Sequence, residues 1–125
     1  MSARTPEGRI SESIVQAIRR LPSAHAHKVA GGPYGSAGEP DIDACVHGRT
    51  IKLEVKQPTN RRRITPHQRQ ALLRWQRAGA IAAVVCSRDE ALDVLAAAGL
   101  IGGRTVPDDL DSKVRYWMPT EGESE

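Results

Sequence analysis

The sequence has few aromatic residues: two Trp, two Tyr and no Phe among 125 residues. Proteins that bind single-stranded nucleic acid without sequence preference stack the bases on exposed aromatic side chains. We therefore expect no stacking platform, and Tyr34, in a glycine-rich segment, is the candidate for a stacked or wedging side chain. A nucleic-acid partner would have to be recognised through its phosphates and its shape.

Cysteines and apolar runs are also scarce. The two cysteines, Cys45 and Cys86, match no metal-ligand spacing and are typical of a protein from a reducing compartment. His25 and His27 share no metal spacing with an acid, so we expect no zinc site. No segment approaches the length of a membrane span, and the polar start at residues 2–6 lacks the apolar run of a signal peptide. These features predict a cytoplasmic protein without a membrane segment.

The charge is small overall but uneven along the chain. The formal net charge is +3, with a basic run at Arg61-Arg62-Arg63 and an acidic end at residues 121–125. We predict a single domain over residues 1–118 and an acidic, disordered tail over residues 119–125. Without that tail the domain is more basic, which suits a polyanionic partner.

Helical and strand patterns alternate along the chain. An apolar stripe that begins at Ile10 predicts a helix over residues 6–21, Thr65-Pro66 begins a second that ends at Gly79, and Ser87–Glu90 begins a third. Strands are predicted over residues 24–30, on both sides of residues 47–48, over 81–86, and near 114–118. This order indicates an α/β fold with a mixed central sheet flanked by helices.

A β-hairpin is predicted around His47-Gly48, since glycine accepts the positive φ of two-residue hairpin turns. In that register Ile42 faces Leu53, and strand alternation separates an apolar face from a charged face. The charged face holds Asp41, Asp43, Lys52, Glu54 and Lys56. A longer turn with an even shift would instead bring Asp43 or Lys52 opposite Glu54.

The charged face carries residues suited to phosphodiester hydrolysis. Asp41 and Glu54 face each other with Cβ atoms roughly 5 Å apart, so both can reach one divalent cation. Such a cation with Lys56 beside it is typical of sites that activate water. The alternative is an ordinary exposed strand, but the combination of Pro-Asp, the turn and Glu-Val-Lys in register favours catalysis. For Asp43, an ion pair with the facing Lys52 is an equally good explanation.

Pro40-Asp41 and Glu54-Val55-Lys56 resemble the two halves of the PD-(D/E)xK nuclease core. More narrowly, most of the chain resembles the stand-alone VRR-NUC nucleases of phages and bacteria. The other segments that carry the resemblance are residues 11–14, 31–33, 64–68 and 75–80. The resemblance implies a restriction-endonuclease-like core and a metal-dependent, structure-selective DNA nuclease that is often dimeric.

The resemblance also implies roles for individual residues. The metal ligands for Mg²⁺ or Mn²⁺ would be Asp41, Glu54, the main-chain carbonyl of Val55, and Glu12. Glu7 is the alternative to Glu12 as the acid from the first helix. Lys56 would position water or stabilise the phosphate charge. Gln68 is placed beside the site, although Thr65-x-x-Gln68 also reads as a capping box.

Arg61, Arg62 and Arg63 follow Lys56 closely, which favours phosphate contact over a merely solvated loop. We therefore expect a homodimeric Mg²⁺- or Mn²⁺-dependent endonuclease that cuts branched or junction DNA with little sequence specificity. Its location would be the cytoplasm of a bacterium or of a phage-infected host cell. The alternative is a non-catalytic DNA-binding or DNA-end-sensing protein on the same scaffold.

Overall fold

The computed structural model describes residues 5–29 and 38–114, and the main chain of residues 116–117. The strands are β1 (Ala24–Lys28), β2 (Ile42–Val46), β3 (Arg49–Val55), β4 (Ile81–Val85) and β5 (Tyr116–Trp117). The helices are α1 (Pro6–Arg19), α2 (Pro66–Arg77), α3 (Arg88–Ala97) and α4 (Leu110–Val114), with a 3₁₀ turn at Pro58–Asn60. Tyr34, the 31–33 segment and the predicted tail over 119–125 lie outside the described residues.

The five strands form one mixed sheet in the order β1-β2-β3-β4-β5. β1, β2 and β3 are antiparallel neighbours, β3 and β4 are parallel, and β5 is antiparallel to β4. The parallel pair requires a crossover, which α2 provides. The predicted α/β class with a mixed sheet and flanking helices is confirmed.

The hairpin has the predicted turn and register. His47 and Gly48 both have positive φ, 50° and 81°, as two-residue hairpin turns require. Ile42 pairs with Leu53, and Asp43 pairs with Lys52. The alternative shifted register is therefore wrong. The expected ion pair between Asp43 and Lys52 is present, with 2.5 Å between Oδ1 and Nζ.

Helices cover the sheet on both faces. α1 and α3 pack on the face formed by Ile42, Leu53 and their apolar neighbours. On the opposite face, Leu72 and Trp75 of α2 pack against Ala82 and Val84 of β4. β3 and β4 are thus enclosed in the middle of three layers, and their carboxyl ends emerge together at one edge of the domain.

The helix starts follow their sequence signals, with one difference. Both halves of the capping box between Thr65 and Gln68 are present at α2. At α3 the Ser87 hydroxyl accepts from the Glu90 N–H, as predicted. The Glu90 carboxylate, however, accepts from the N–H of Cys86, one residue before the N-cap. Ser87–Glu90 therefore forms only the first half of a capping box, and the prediction of the second half is wrong.

The segment before the tail also differs from the prediction. The strand expected over residues 114–118 does not include Val114, which ends the short helix α4; within the described part of the chain, Tyr116–Trp117 pair with β4. α1 ends at Arg19, two residues before the predicted Leu21. In the described ranges, 5–29 and 38–114, no helix is long and apolar enough to cross a membrane.

Candidate active site

Glu54 lies near the carboxyl end of β3, beside Val84 of the parallel neighbour β4. The hairpin alternation places its side chain on the charged face, but the structure buries that side chain, which is 4% exposed. Helix α2 covers this face of β3, so the face is not solvated as simple alternation predicts. A carboxylate taken out of water in this way needs compensating partners.

Asp41 is held against the end of β3 by a main-chain hydrogen bond. Its Oδ2 accepts from the N–H of Val55 at 2.7 Å. Burial, and after it the neighbouring carboxyl of Asp41, raise the pKa of Glu54 to about 8, while Lys56 acts in the opposite direction. The two carboxyl groups therefore lie close enough for a shared proton or a shared cation to be the stable arrangement.

Gln68 connects the site to the start of α2. Its Oε1 accepts from the Thr65 N–H at 3.0 Å, which is the capping-box bond. Its Nε2 donates to Oε2 of Glu54 at 3.2 Å. The same side chain therefore caps the helix and orients the buried carboxylate, so the capping and site interpretations of Gln68 are compatible.

Lys56 follows β3 on the same side of the strand as Glu54. Its Nζ lies 3.8 Å from Oε2 of Glu54, and its side chain is 13% exposed. Its main-chain N–H donates to the Val85 carbonyl at 3.0 Å, which extends the parallel pairing by one residue. The ammonium is therefore fixed at the border between the buried carboxylate and solvent.

The donor set fits a hard divalent cation. Oε1 of Glu54 is a buried oxygen with no hydrogen-bond partner among the described residues. A carboxylate oxygen left in this state is costly unless a proton or a cation joins it. Within residues 5–29 and 38–114, no group of three or more His, Cys, Asp or Glu side chains is arranged to hold a metal ion. Mg²⁺ is commonly bound by one or two carboxylates together with waters, and the pair Asp41 and Glu54 suits that pattern.

A solved structure described as a VRR_NUC domain is similar to the fold of this chain, with a TM-score of 0.61. The sequence identity is 26%, and the match covers 74% of this chain and 96% of that chain. The chain has a VRR-NUC fold. No protein-family model and no curated protein matches the sequence. The likeness to this nuclease-type domain is therefore carried by the three-dimensional structure.

One acid of α1 that acts on the site is Glu7. Its charge is among those that raise the pKa of Glu54, after burial and Asp41. Glu7 lies one helical turn before Ser11, which is buried at 4% exposure and faces the sheet. Glu12, the residue expected from the resemblance, lies five positions further along α1 and is half-buried. The charge of Glu7 therefore acts on Glu54, and the choice between Glu12 and Glu7 as a further metal ligand stays a prediction.

The three arginines after β3 have different environments. Arg61 is half-buried, and its two terminal nitrogens donate to the Glu90 carboxylate at 3.0 and 2.8 Å. This pairing balances the charge of Arg61, and the phosphate contact expected for it stays a prediction. Arg62 and Arg63 are exposed. The sequence offered no local sign of this difference, because Glu90 lies 29 residues further along the chain.

The approach to Asp41 contains positioning residues that the sequence pattern did not single out. Gly38 has φ of 81°, and a Cβ atom at this position would lie 2.5 Å from the carbonyl carbon of His67. Trp75 Nε1 donates to the Glu39 carboxylate at 3.3 Å, and Nζ of Lys52 lies 3.7 Å from the centre of the same indole ring. The segment before Asp41 is thus fastened to α2, the helix that also supplies Gln68. In the sequence, the available signal for this close approach was Gly38, two residues before Pro40.

Proposed function

We propose that this protein is a metal-dependent DNA endonuclease. The observation that carries the proposal is the pairing of Asp41 and Glu54 at the end of β3, where a buried carboxylate oxygen has no hydrogen-bond partner among the described residues. Lys56 lies beside this pair. The nuclease-type fold supports the same conclusion.

Asp41, Glu54 and the main-chain carbonyl of Val55 would hold Mg²⁺ or Mn²⁺, with Glu12, or alternatively Glu7, as the acid from α1. When bound, the cation would lower the pKa of a water and polarise the phosphate. The pKa of about 8 leaves the Glu54 carboxyl largely protonated at neutral pH without metal, so this carboxyl would have to be deprotonated to hold the cation. Asp41 keeps its orientation through the Val55 N–H.

The remaining roles belong to two side chains. Lys56 Nζ donates to the attacking water or to a phosphate oxygen, and its partial exposure keeps it accessible to a substrate. Gln68 Nε2 holds Oε2 of Glu54, which leaves Oε1 for the cation. Gln68 is therefore a positioning residue in this proposal.

The proposed substrate is DNA of branched or junction type, contacted through its phosphates. Arg62 and Arg63 are exposed next to the site and suit this contact. A single nuclease domain over residues 1–118, cytoplasmic location and a homodimer stay predictions. Sedimentation of the purified protein would test the dimer, because a two-fold dimer presents two matched sites to a symmetric junction.

The test is a cleavage assay with labelled linear, nicked, flapped and four-way-junction DNA. Each substrate is incubated with Mg²⁺, with Mn²⁺ and with EDTA, and E54Q protein purified in parallel controls for contaminating nucleases. We expect metal-dependent products that are absent with E54Q and with EDTA. Cleavage by E54Q at the wild-type rate would refute the site. Binding without any cutting would favour a non-catalytic DNA-binding protein.

A further inference from the structure

A charged cleft lies beside the proposed active site, between the loop of residues 57–63 and helix α4. Its volume is about 640 Å³, which is within the usual range for ligand sites. The lining residues are Pro58, Thr59, Arg61, Arg62, Arg63, Asp109, Ser112 and Lys113. We propose that this cleft binds backbone phosphates of the DNA that flank the scissile phosphate. This inference rests on the proposed function for the identity of the polymer.

Arg61 builds the cleft by joining its walls. Its guanidinium bonds Glu90 at the start of α3 and also donates to the main-chain carbonyl of Lys113 in α4. Glu90 in turn accepts from the Cys86 N–H at 2.8 Å, at the end of β4. The loop after β3, the end of β4 and α4 are therefore fastened together by one half-buried arginine. This network fixes the spacing of the cationic side chains that face the cleft.

The other cations of the cleft are available for an anionic ligand. Arg62, Arg63 and Lys113 are exposed, whereas the charge of Arg61 is balanced by Glu90. Among the described lining residues Asp109 is the one acid, so this part of the cleft carries an excess of positive charge. Arginine forks and a lysine ammonium are the side chains that bind phosphodiester oxygens best. Among the described residues of the lining none is aromatic, so backbone contact is favoured over base stacking.

The cleft and the active site share one end of the sheet. Val55 and Val85 are partners in the parallel ladder, and the cleft loop begins directly after Lys56. Arg61 lies five positions after Lys56, so their Cα atoms are at most about 18 Å apart. At about 3.4 Å of duplex axis per nucleotide, the phosphates held in the cleft lie within about five nucleotides of the cut.

The first experiment measures the salt dependence of DNA binding. E54Q serves as the parent protein in EDTA, so that no cleavage occurs, and the probes are a nicked duplex and a four-way junction. K113A and R63A are compared with R20A, an exposed arginine at the end of α1 near the hairpin-turn end of the sheet. We expect the slope of log K against log salt to decrease by about 0.9 for each cleft variant. When the salt rises from about 50 to 200 mM, the affinity of the parent should then fall about 3.5-fold more than that of K113A. The affinity of R20A should fall as much as that of the parent.

The second experiment locates the phosphates. Single methylphosphonate substitutions remove one backbone charge at a time near the cut. We expect K113A to weaken binding to unmodified DNA, but not to DNA that carries the methylphosphonate at one or two positions within about five nucleotides of the cut. At those positions the phosphate charge that Lys113 would contact has already been removed. Equal slopes for K113A, R63A and R20A would overturn the inference, even if the wild-type protein cuts DNA. A reduced slope in a protein that cuts nothing would instead refute the nuclease and keep the phosphate site.

Discussion

Replacing Glu54 by Gln tests the electrostatics of the site in the metal-free protein. The pKa of Glu54 rises from 4.5 to about 8 on folding, chiefly because the carboxyl is buried. At pH 7 the unfolded chain has released a proton that the folded protein keeps. Because pH 7 lies about 2.5 units above the unfolded pKa of 4.5, keeping this proton costs the folded protein about 3 kcal/mol of stability. Gln keeps the shape and cannot ionise. We therefore expect E54Q to raise the free energy of unfolding at pH 7 by about 3 kcal/mol.

The pH dependence has a definite sign. Because the folded protein binds this proton more tightly than the unfolded chain, the wild-type protein loses stability as the pH rises from 4.5 through about 8. The contribution is fully present below pH 4.5, where both states are protonated. The stability difference between E54Q and wild type should therefore be small near pH 4.5 and grow to about 5 kcal/mol at pH 9.

The assay is urea unfolding in EDTA, followed by circular dichroism, at about pH 5, 7 and 9. E90Q is the matched control, because Glu90 is also a buried glutamate but is paired with Arg61 at 2.8 Å. We expect E90Q to be less stable than wild type by about 3 kcal/mol, since it leaves a half-buried guanidinium without its counter-charge. A stability difference for E54Q that is zero or independent of pH would refute the reasoning about Glu54.

Three further substitutions, with a control at Gly48, test the geometry of the site. K56A should lower the cleavage rate by about 100-fold or more while DNA affinity changes little, as measured by single-turnover cleavage and by binding in EDTA. G38A should unfold at lower urea and cleave slowly, because its Cβ would lie 2.5 Å from the His67 carbonyl carbon. G48A, with the same φ of 81° but nothing within 4 Å, should lose only about 1 kcal/mol. Q68A should cleave about 10-fold more slowly and bind DNA normally, since Glu54 loses the donor that orients it.

The hairpin could be predicted because its determinants are local. A glycine after His47 fixes the two-residue turn, and the turn fixes which residues pair. Once the register is known, side-chain alternation brings Asp41 to the end of β3 beside Glu54. The capping box at Thr65 is local in the same way, and it placed Gln68 at the first turn of α2.

Burial and distant partners could not be read from the sequence. Strand alternation places Lys52 and Glu54 on the charged face of β3, and a solvated position is expected there. Both side chains are nevertheless buried, because α2, which follows later in the chain, packs over that face. Arg61 looks like its two neighbours in the sequence, but its partner Glu90 comes from a helix start beyond β4. Lys113 joins the same region from α4, a short helix with no strong pattern of its own.

The two buried glutamates at this end of the sheet show how structural and functional acids differ. Glu90 accepts from Arg61 and from the Cys86 N–H, so both of its oxygens have donors. Glu54 has Gln68 on one oxygen and none on the other among the described residues, and it lies against a second carboxyl group. An apolar or amide side chain at this position would make the folded protein more stable. A site that gives up stability in this way is better explained by the binding of a cation than by the needs of the fold.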